Sequence, residues 1–233
     1  LQDLYEGINF ACKELGVDLV GGDTTASMTG LVINITTIGR AKRKAISYRS
    51  GAQFNDLICI TGNLGAAYMG LQLLEREKRV LRDVENPEPQ FTGYEYLLQR
   101  YLKPRARKDI IDLLAEEKIV PTSMIDISDG LASEVLQICK ASKCGARIYL
   151  DRIPIAKQTS ALAEEMHADP VVAALNGGND YELMFTVPLA MQEQVMRLGV
   201  VDVVGHITRE STGAYLVTPD GSDIKLRAQG FKE

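Results

Sequence analysis

Apolar residues near the start of the chain recur at Leu1, Leu4, Ile8, Cys12 and Leu15. That spacing is one face of an amphipathic helix. From Leu31 to Ile38 the pattern changes to Leu31-Val32-Ile33-Asn34-Ile35-Thr36-Thr37-Ile38, a β-branched run that predicts a strand. One helix with one or two strands cannot bury both its faces. The opening therefore reads as part of an N-terminal domain whose earlier strands precede Leu1. A basic connector, Arg40-Ala41-Lys42-Arg43-Lys44, separates it from the rest and predicts two units, residues 1–44 and 45–233.

Beyond the connector, strand and helix patterns alternate. Residues 56–61 read as a strand entering Gly62-Asn63-Leu64-Gly65, and a helix follows over 66–78. Asn86-Pro87-Glu88-Pro89 is a loop, and 94–101 and 107–118 carry helical patterns. A short strand-like segment at Met124-Ile125-Asp126-Ile127 then leads into a helix over 131–142, where Leu131, Val135, Ile138 and Cys139 fall on one face. A strand over 146–150, a helix over 159–167 and a glycine turn over 176–180 come next. Residues 181–187 predict a strand, 188–198 a helix and 200–207 an extended segment. Residues 215–218 and 223–226 predict a hairpin across Pro219-Asp220-Gly221. The alternation lacks strict βαβ regularity, so the class is α+β, or mixed α/β.

Composition narrows the function classes. The 233 residues can bury a sizeable core, with 45% apolar and 24% charged positions. A net charge of -5 offers no general attraction for nucleic acid or an anionic membrane. No apolar run approaches the roughly 18 residues that span a bilayer, and no signal-peptide pattern opens the chain. Cys12, Cys59, Cys139 and Cys144 form no C-x-x-C pair, which favours reduced thiols over a zinc site or disulfide framework. A cytoplasmic location is the expectation.

Candidate chemistry concentrates at glycine-bearing turns. In Asp126-Ile127-Ser128-Asp129-Gly130, two carboxylates lie three residues apart where a strand passes into a helix. Both can face the free amides of a helix N-terminus, an arrangement that suits a divalent cation carrying a phosphate. Helix capping by Ser128 or Asp129 is the alternative. Gly21-Gly22-Asp23-Thr24-Thr25 adds a third carboxylate beside two hydroxyls, though such a sequence is also an ordinary turn. A further turn presents Asn179, Asp180 and Glu182. Magnesium takes oxygen ligands and shares its shell with substrate phosphates, so Asp23, Asp126 and Asp129 are its candidate ligands. Gly62-Asn63-Leu64-Gly65 reads as a tight strand-to-helix turn, with a phosphate loop as the alternative. His167 and His206 are isolated, and Walker A and protein-kinase signatures are absent. Arg49 reads as a surface charge, Lys103, Arg105 and Arg107 as a solvated basic face, and Tyr94, Tyr96 and Tyr101 as cover for a core.

Taken in order, several of these motifs resemble thiamine-monophosphate kinase, in the superfamily of aminoimidazole ribonucleotide synthetase and selenophosphate synthetase. The resemblance rests on Gly21-Gly22-Asp23-Thr24-Thr25, Tyr48-Arg49-Ser50-Gly51-Ala52, Ile60 to Gly65, Ile125 to Leu131, and Gly177 to Leu183. It implies ATP-dependent phosphorylation of thiamine monophosphate to thiamine diphosphate, with magnesium ions and no covalent nucleophile. It further implies Asp23, Asp126 and Asp129 as magnesium ligands, and Gly22, Asp23, Arg49 and Ser128 at ATP. Asn179 and Phe231 would lie at the substrate, Asn179 standing where the family usually has a glutamate. The implied architecture is a homodimer of two-domain chains, with residues 1–44 a remnant of the ATP-binding and dimerisation domain. Residues 45–233 would form a C-terminal domain resembling a three-layer sandwich. Another acceptor within the same superfamily, or a non-catalytic nucleotide-binding or dimerisation fragment, are the competing readings.

Overall fold

A computed structural model describes residues 1–85 and 87–228 and separates two units, Leu1–Lys44 and Ala45–Glu233. In the first unit, α1 (Gln2–Leu15) forms where the periodicity predicts a helix. Leu4, Ile8, Cys12 and Leu15 are its half-covered stripe. Gly16 ends the helix in the left-handed conformation, φ 67°, returning its amide to the Cys12 carbonyl. The strand expected over residues 31–38 does not form; this segment has no ladder, and Val32 and Ile38 are 77% and 92% exposed. β-branched composition favours extended backbone, but a strand also needs a neighbour for its amides and carbonyls. Among the described residues, the unit contains no strand to provide one.

The second unit is built on a seven-stranded sheet. Its strands are β1 (Leu57–Thr61), β2 (Ser123–Ile127), β3 (Cys144–Tyr149), β4 (Glu182–Val187), β5 (Val201–Arg209), β6 (Ala214–Val217) and β7 (Asp223–Lys225). They lie in the order β2-β4-β1-β5-β3-β6-β7, antiparallel throughout except for β3 and β6. The helices are α2 (Ala66–Val80), α3 (Glu95–Leu102), α4 (Lys108–Glu116), α5 (Leu131–Ser142), α6 (Lys157–Glu165), α7 (Pro170–Asn176) and α8 (Gln192–Arg197).

Alternation along the central strands explains the layers. Ile58 and Ile60 of β1 face a core that includes Ile127 of β2 and Leu131, Val135 and Ile138 of α5. Leu57 and Cys59 face the opposite way, joining Phe185 and Val187 of β4 with α4 and α8. Helices therefore cover both faces, the three-layer arrangement expected from the sequence. A third cluster packs α2 against α3, α6 and α7, with Tyr94 and Tyr96 covering it.

The sequence reading omitted α7. Its signal was local: Asp169 accepts the Val171 amide at 2.8 Å, and Pro170 occupies the first turn. Seven residues are too few to display a helical period above the surrounding pattern.

Phe185 is fully buried at the centre of the second core. Phe185→Ala should lower unfolding free energy by about 3–5 kcal/mol in urea denaturation. A loss below about 1 kcal/mol would contradict this packing.

Candidate active site

β2 carries the first candidate site. Ser123, Ile125 and Ile127 point into the core, which leaves the Asp126 side chain exposed near the end of the strand. The chain then turns through Ser128 and exposed Asp129 to Gly130, which caps α5. Gly130 supplies no side-chain cap. The bond across this turn comes instead from Glu134, whose carboxylate accepts the Asp129 amide at 3.1 Å. Helix capping by Ser128 or Asp129, the alternative left open by the sequence, is thus displaced by a carboxylate from inside the helix. Glu134 is buried, and burial raises its pKa, assisted by the Asp129 and Asp126 charges; bonds from the Asp129 and Ser128 amides oppose the shift.

A second turn locks onto the first. The Asn179 amide donates to the Ser128 carbonyl at 2.7 Å, and the Tyr181 amide to the Ile127 carbonyl at 2.8 Å. Gly178 lies so close that an added Cβ would sit 2.6 Å from the Ser128 carbonyl oxygen. Asn179 itself is exposed, and its side-chain oxygen accepts from the Tyr181 hydroxyl at 3.4 Å. Asp126, Ser128, Asp129 and Asn179 therefore belong to one edge.

The Tyr48 carbonyl accepts from the Met124 amide at 2.9 Å, two residues from Asp126, which places Arg49 beside β2. The Arg49 carbonyl accepts from the Ser142 hydroxyl at 3.2 Å, at the C-terminal end of α5. Gly22 and Asp23 belong to the first unit, where Asp23 accepts the Thr24 amide at 2.9 Å and Thr24 bonds to Tyr5. Phe231 lies outside the described residues.

The third turn, Gly62 to Gly65, leads from β1 into α2, and its Leu64 amide donates to the Pro154 carbonyl at 2.9 Å. The Asp180 carboxylate accepts from the Gly65 amide at 2.7 Å and the Ala67 amide at 3.3 Å. An internal carboxylate thus sits where the alternative reading would have put a phosphate. Next to it, Glu182 is 2% exposed and accepts from Thr61 at 2.6 Å and Arg100 at 2.7 Å; Arg107 also donates to it. Gly62, at φ 60°, makes room for that carboxyl group: an added Cβ would overlap it at 2.2 Å. Burial raises Asp180 from 3.8 to about 6, against the opposing pull of its two amide bonds and Arg100.

The two exposed carboxylates suit magnesium as it binds with nucleotides, through one or two carboxylates while phosphates and water complete the shell. Among the described residues, no group of three or more His, Cys, Asp or Glu could hold a metal ion on its own. Protein oxygen atoms plus a bound polyanion fit this edge better than an all-protein cage. No described helix is long and apolar enough to cross a membrane.

Comparison with known proteins identifies the lineage. Residues 56–217 match the AIR synthase related protein, C-terminal domain, and residues 1–41 match its N-terminal domain. Thiamine-monophosphate kinase of Synechococcus elongatus is 30% identical over 238 residues, covering 100% of this chain and 68% of the relative. The chain belongs to the thiamine-monophosphate kinase family. The Escherichia coli K12 member is 35% identical over 226 residues, covering 92% of this chain and 63% of the relative. A solved structure of AaThiL complexed with AMPPCP and TMP is 28% identical, with a TM-score of 0.60, covering 76% of this chain and 52% of that one. The chain thus spans about two thirds of the length of these curated relatives.

Sequence reasoning missed the roles of Asp180, Glu182, Arg100 and Arg107 in this family member. By sequence alone Asp180 and Glu182 read as turn residues, and Arg107 as part of a solvated face. Arg107 is instead mostly buried and joined to Glu182 and Asp109. Strand parity carried the signal: Glu182 shares a β4 face with Met184 and Thr186, both buried. A glutamate at an inward position requires a cationic partner.

A raised carboxyl pKa means that the folded state binds more protons than the unfolded chain between about pH 4 and 6. Stability linked to Asp180 should therefore fall as pH rises through that window and stay low above it. Relative to Asp180→Asn, the natural chain should lose about 2 kcal/mol between pH 4 and 7 in denaturant titrations. A pH-independent difference would contradict the assignment.

Proposed function

We propose that the protein transfers the γ-phosphoryl group of ATP to thiamine monophosphate, giving thiamine diphosphate and ADP. The observation that carries this reading is the exposed Asp126–Asp129 edge at the start of α5, pinned by backbone bonds to the turn that bears Asn179. The relative solved with AMPPCP and TMP supports the same pair of substrates. Magnesium would be held by Asp126 and Asp129, and Asp23 remains in the ligand set on the strength of the family motifs alone. When bound the metal would supply charge neutralisation between two polyanions.

The protein's own part is positioning. Phosphoryl transfer of this kind needs little covalent participation, so an in-line approach of acceptor oxygen and γ-phosphorus is sufficient. Ser128 would contact the nucleotide, and the N-terminal amides of α5 would favour its negative charge. Asn179 would meet the acceptor as a neutral amide, able both to donate and to accept a hydrogen bond. Gly22 and Arg49 remain in the ATP assignment on the strength of the family motifs. Phe231 is retained as a substrate contact on the same motif basis. The proposed setting is a cytoplasmic homodimer.

Asp126→Asn should reduce magnesium-dependent turnover of thiamine monophosphate about tenfold or more, and raise the magnesium concentration needed for half-maximal rate. A coupled ADP-release assay across a magnesium series measures both quantities. Unchanged turnover and unchanged magnesium dependence would remove Asp126 from the ligand set.

A further inference from the structure

The network around Asp180 has the form of a clamp. Arg100 donates through Nη2 to the carbonyls of Asn63 at 3.2 Å and Asp180 at 3.0 Å, and through Nη1 to Glu182 at 2.7 Å. It therefore binds the turn after β1 to the turn before β4. The Asp180 carboxylate closes the same junction from the other side by accepting the Gly65 and Ala67 amides. On either side of Asp180, Asn179 and Tyr181 have φ 60° and 52°, in a region that non-glycine residues seldom occupy. Such a conformation persists only when its surroundings over-determine it. Here those surroundings are the clamp on Asp180 and the amide bonds from Asn179 and Tyr181 to the end of β2.

We infer that Asp180 is a positioning residue for the acceptor side of the site: its carboxylate, seated on the first amides of α2, holds Asn179 and Tyr181 in place. This inference rests on the proposed function for the identity of the acceptor. Asp180 itself is buried and lies behind the exposed edge, so it acts through its neighbours. The Asp126–Asp129 turn has supports of its own, the Glu134 bond and the full pairing of β2 with β4. Loosening Asp180 should therefore disturb the acceptor more than the magnesium nucleotide. Retaining a carboxylate where burial penalises its charge is consistent with a role in geometry.

The test combines steady-state kinetics with amide hydrogen exchange on the intact protein, comparing Asp180→Asn, Asp180→Ala and Arg100→Lys. The KM for thiamine monophosphate should rise about tenfold in the Asp180 variants, while the KM for ATP stays within about twofold. Arg100→Lys keeps the charge and loses the fork, so it should show the same split to a smaller degree. Exchange at the Asn179 and Tyr181 amides should accelerate at least about tenfold, with Asp129 unchanged. Equal rises in both KM values, or unchanged exchange at Asn179 and Tyr181, would overturn the inference. A natural protein without turnover would defeat the functional reading alone. The exchange comparison would then still decide whether Asp180 holds the loop.

Discussion

Two buried carboxylates set the geometry of the junction. Glu182 faces inward because β4 is paired on both sides and Met184 and Thr186, on the same face, are buried. Once inside, that charge demands Thr61 from β1, Arg100 from α3 and Arg107 from the start of α4. Asp180, two residues earlier, takes the amides at the start of α2. Removing one member of a buried pair leaves the other uncompensated, a cost of roughly 3–5 kcal/mol. The positions of three turns, Gly62 to Gly65, Asp126 to Gly130 and Gly177 to Tyr181, follow from satisfying these groups together.

The two strand-to-helix turns consequently have different fates. At the start of α2 the Gly65 and Ala67 amides are taken by the buried Asp180 carboxylate. At the start of α5, Glu134 occupies the Asp129 amide from within, while the Asp126 and Asp129 carboxylates stay exposed. The first turn serves the fold; in the proposed function the second serves the ligand. Similar glycine-containing sequences thus acquire different chemistry from the distant residues that reach them.

Much of the fold was legible because it depends on local periodicity. The helix over 131–142 and the strand over residues 57–61 follow directly from which positions are apolar. The acidic edge was legible for a similar reason, since Asp126 and Asp129 flank one short turn. The clamp was not, because its members are spread from Thr61 to Glu182 and meet only through sheet pairing. Arg107 shows the difficulty: beside Lys103 and Arg105 it looks like a surface charge, and only the fold turns it toward Glu182. The strand expected over residues 31–38 failed for the converse reason, local propensity without a partner. Arg49 sits in a recognisable motif, but its place between β2 and the end of α5 comes from bonds to residues distant in sequence, Met124 to Tyr48 and Ser142 to Arg49.

The central claim is that the Asp126–Asp129 edge receives the metal that accompanies the nucleotide. Manganese provides the most direct test, because its anomalous X-ray signal locates it independently of the surrounding density. Crystals of the intact protein with manganese and a non-hydrolysable ATP analogue should show an anomalous peak about 2–2.3 Å from carboxylate oxygens of both Asp126 and Asp129. Bound nucleotide with its manganese elsewhere, and neither aspartate in contact with it, would contradict the account.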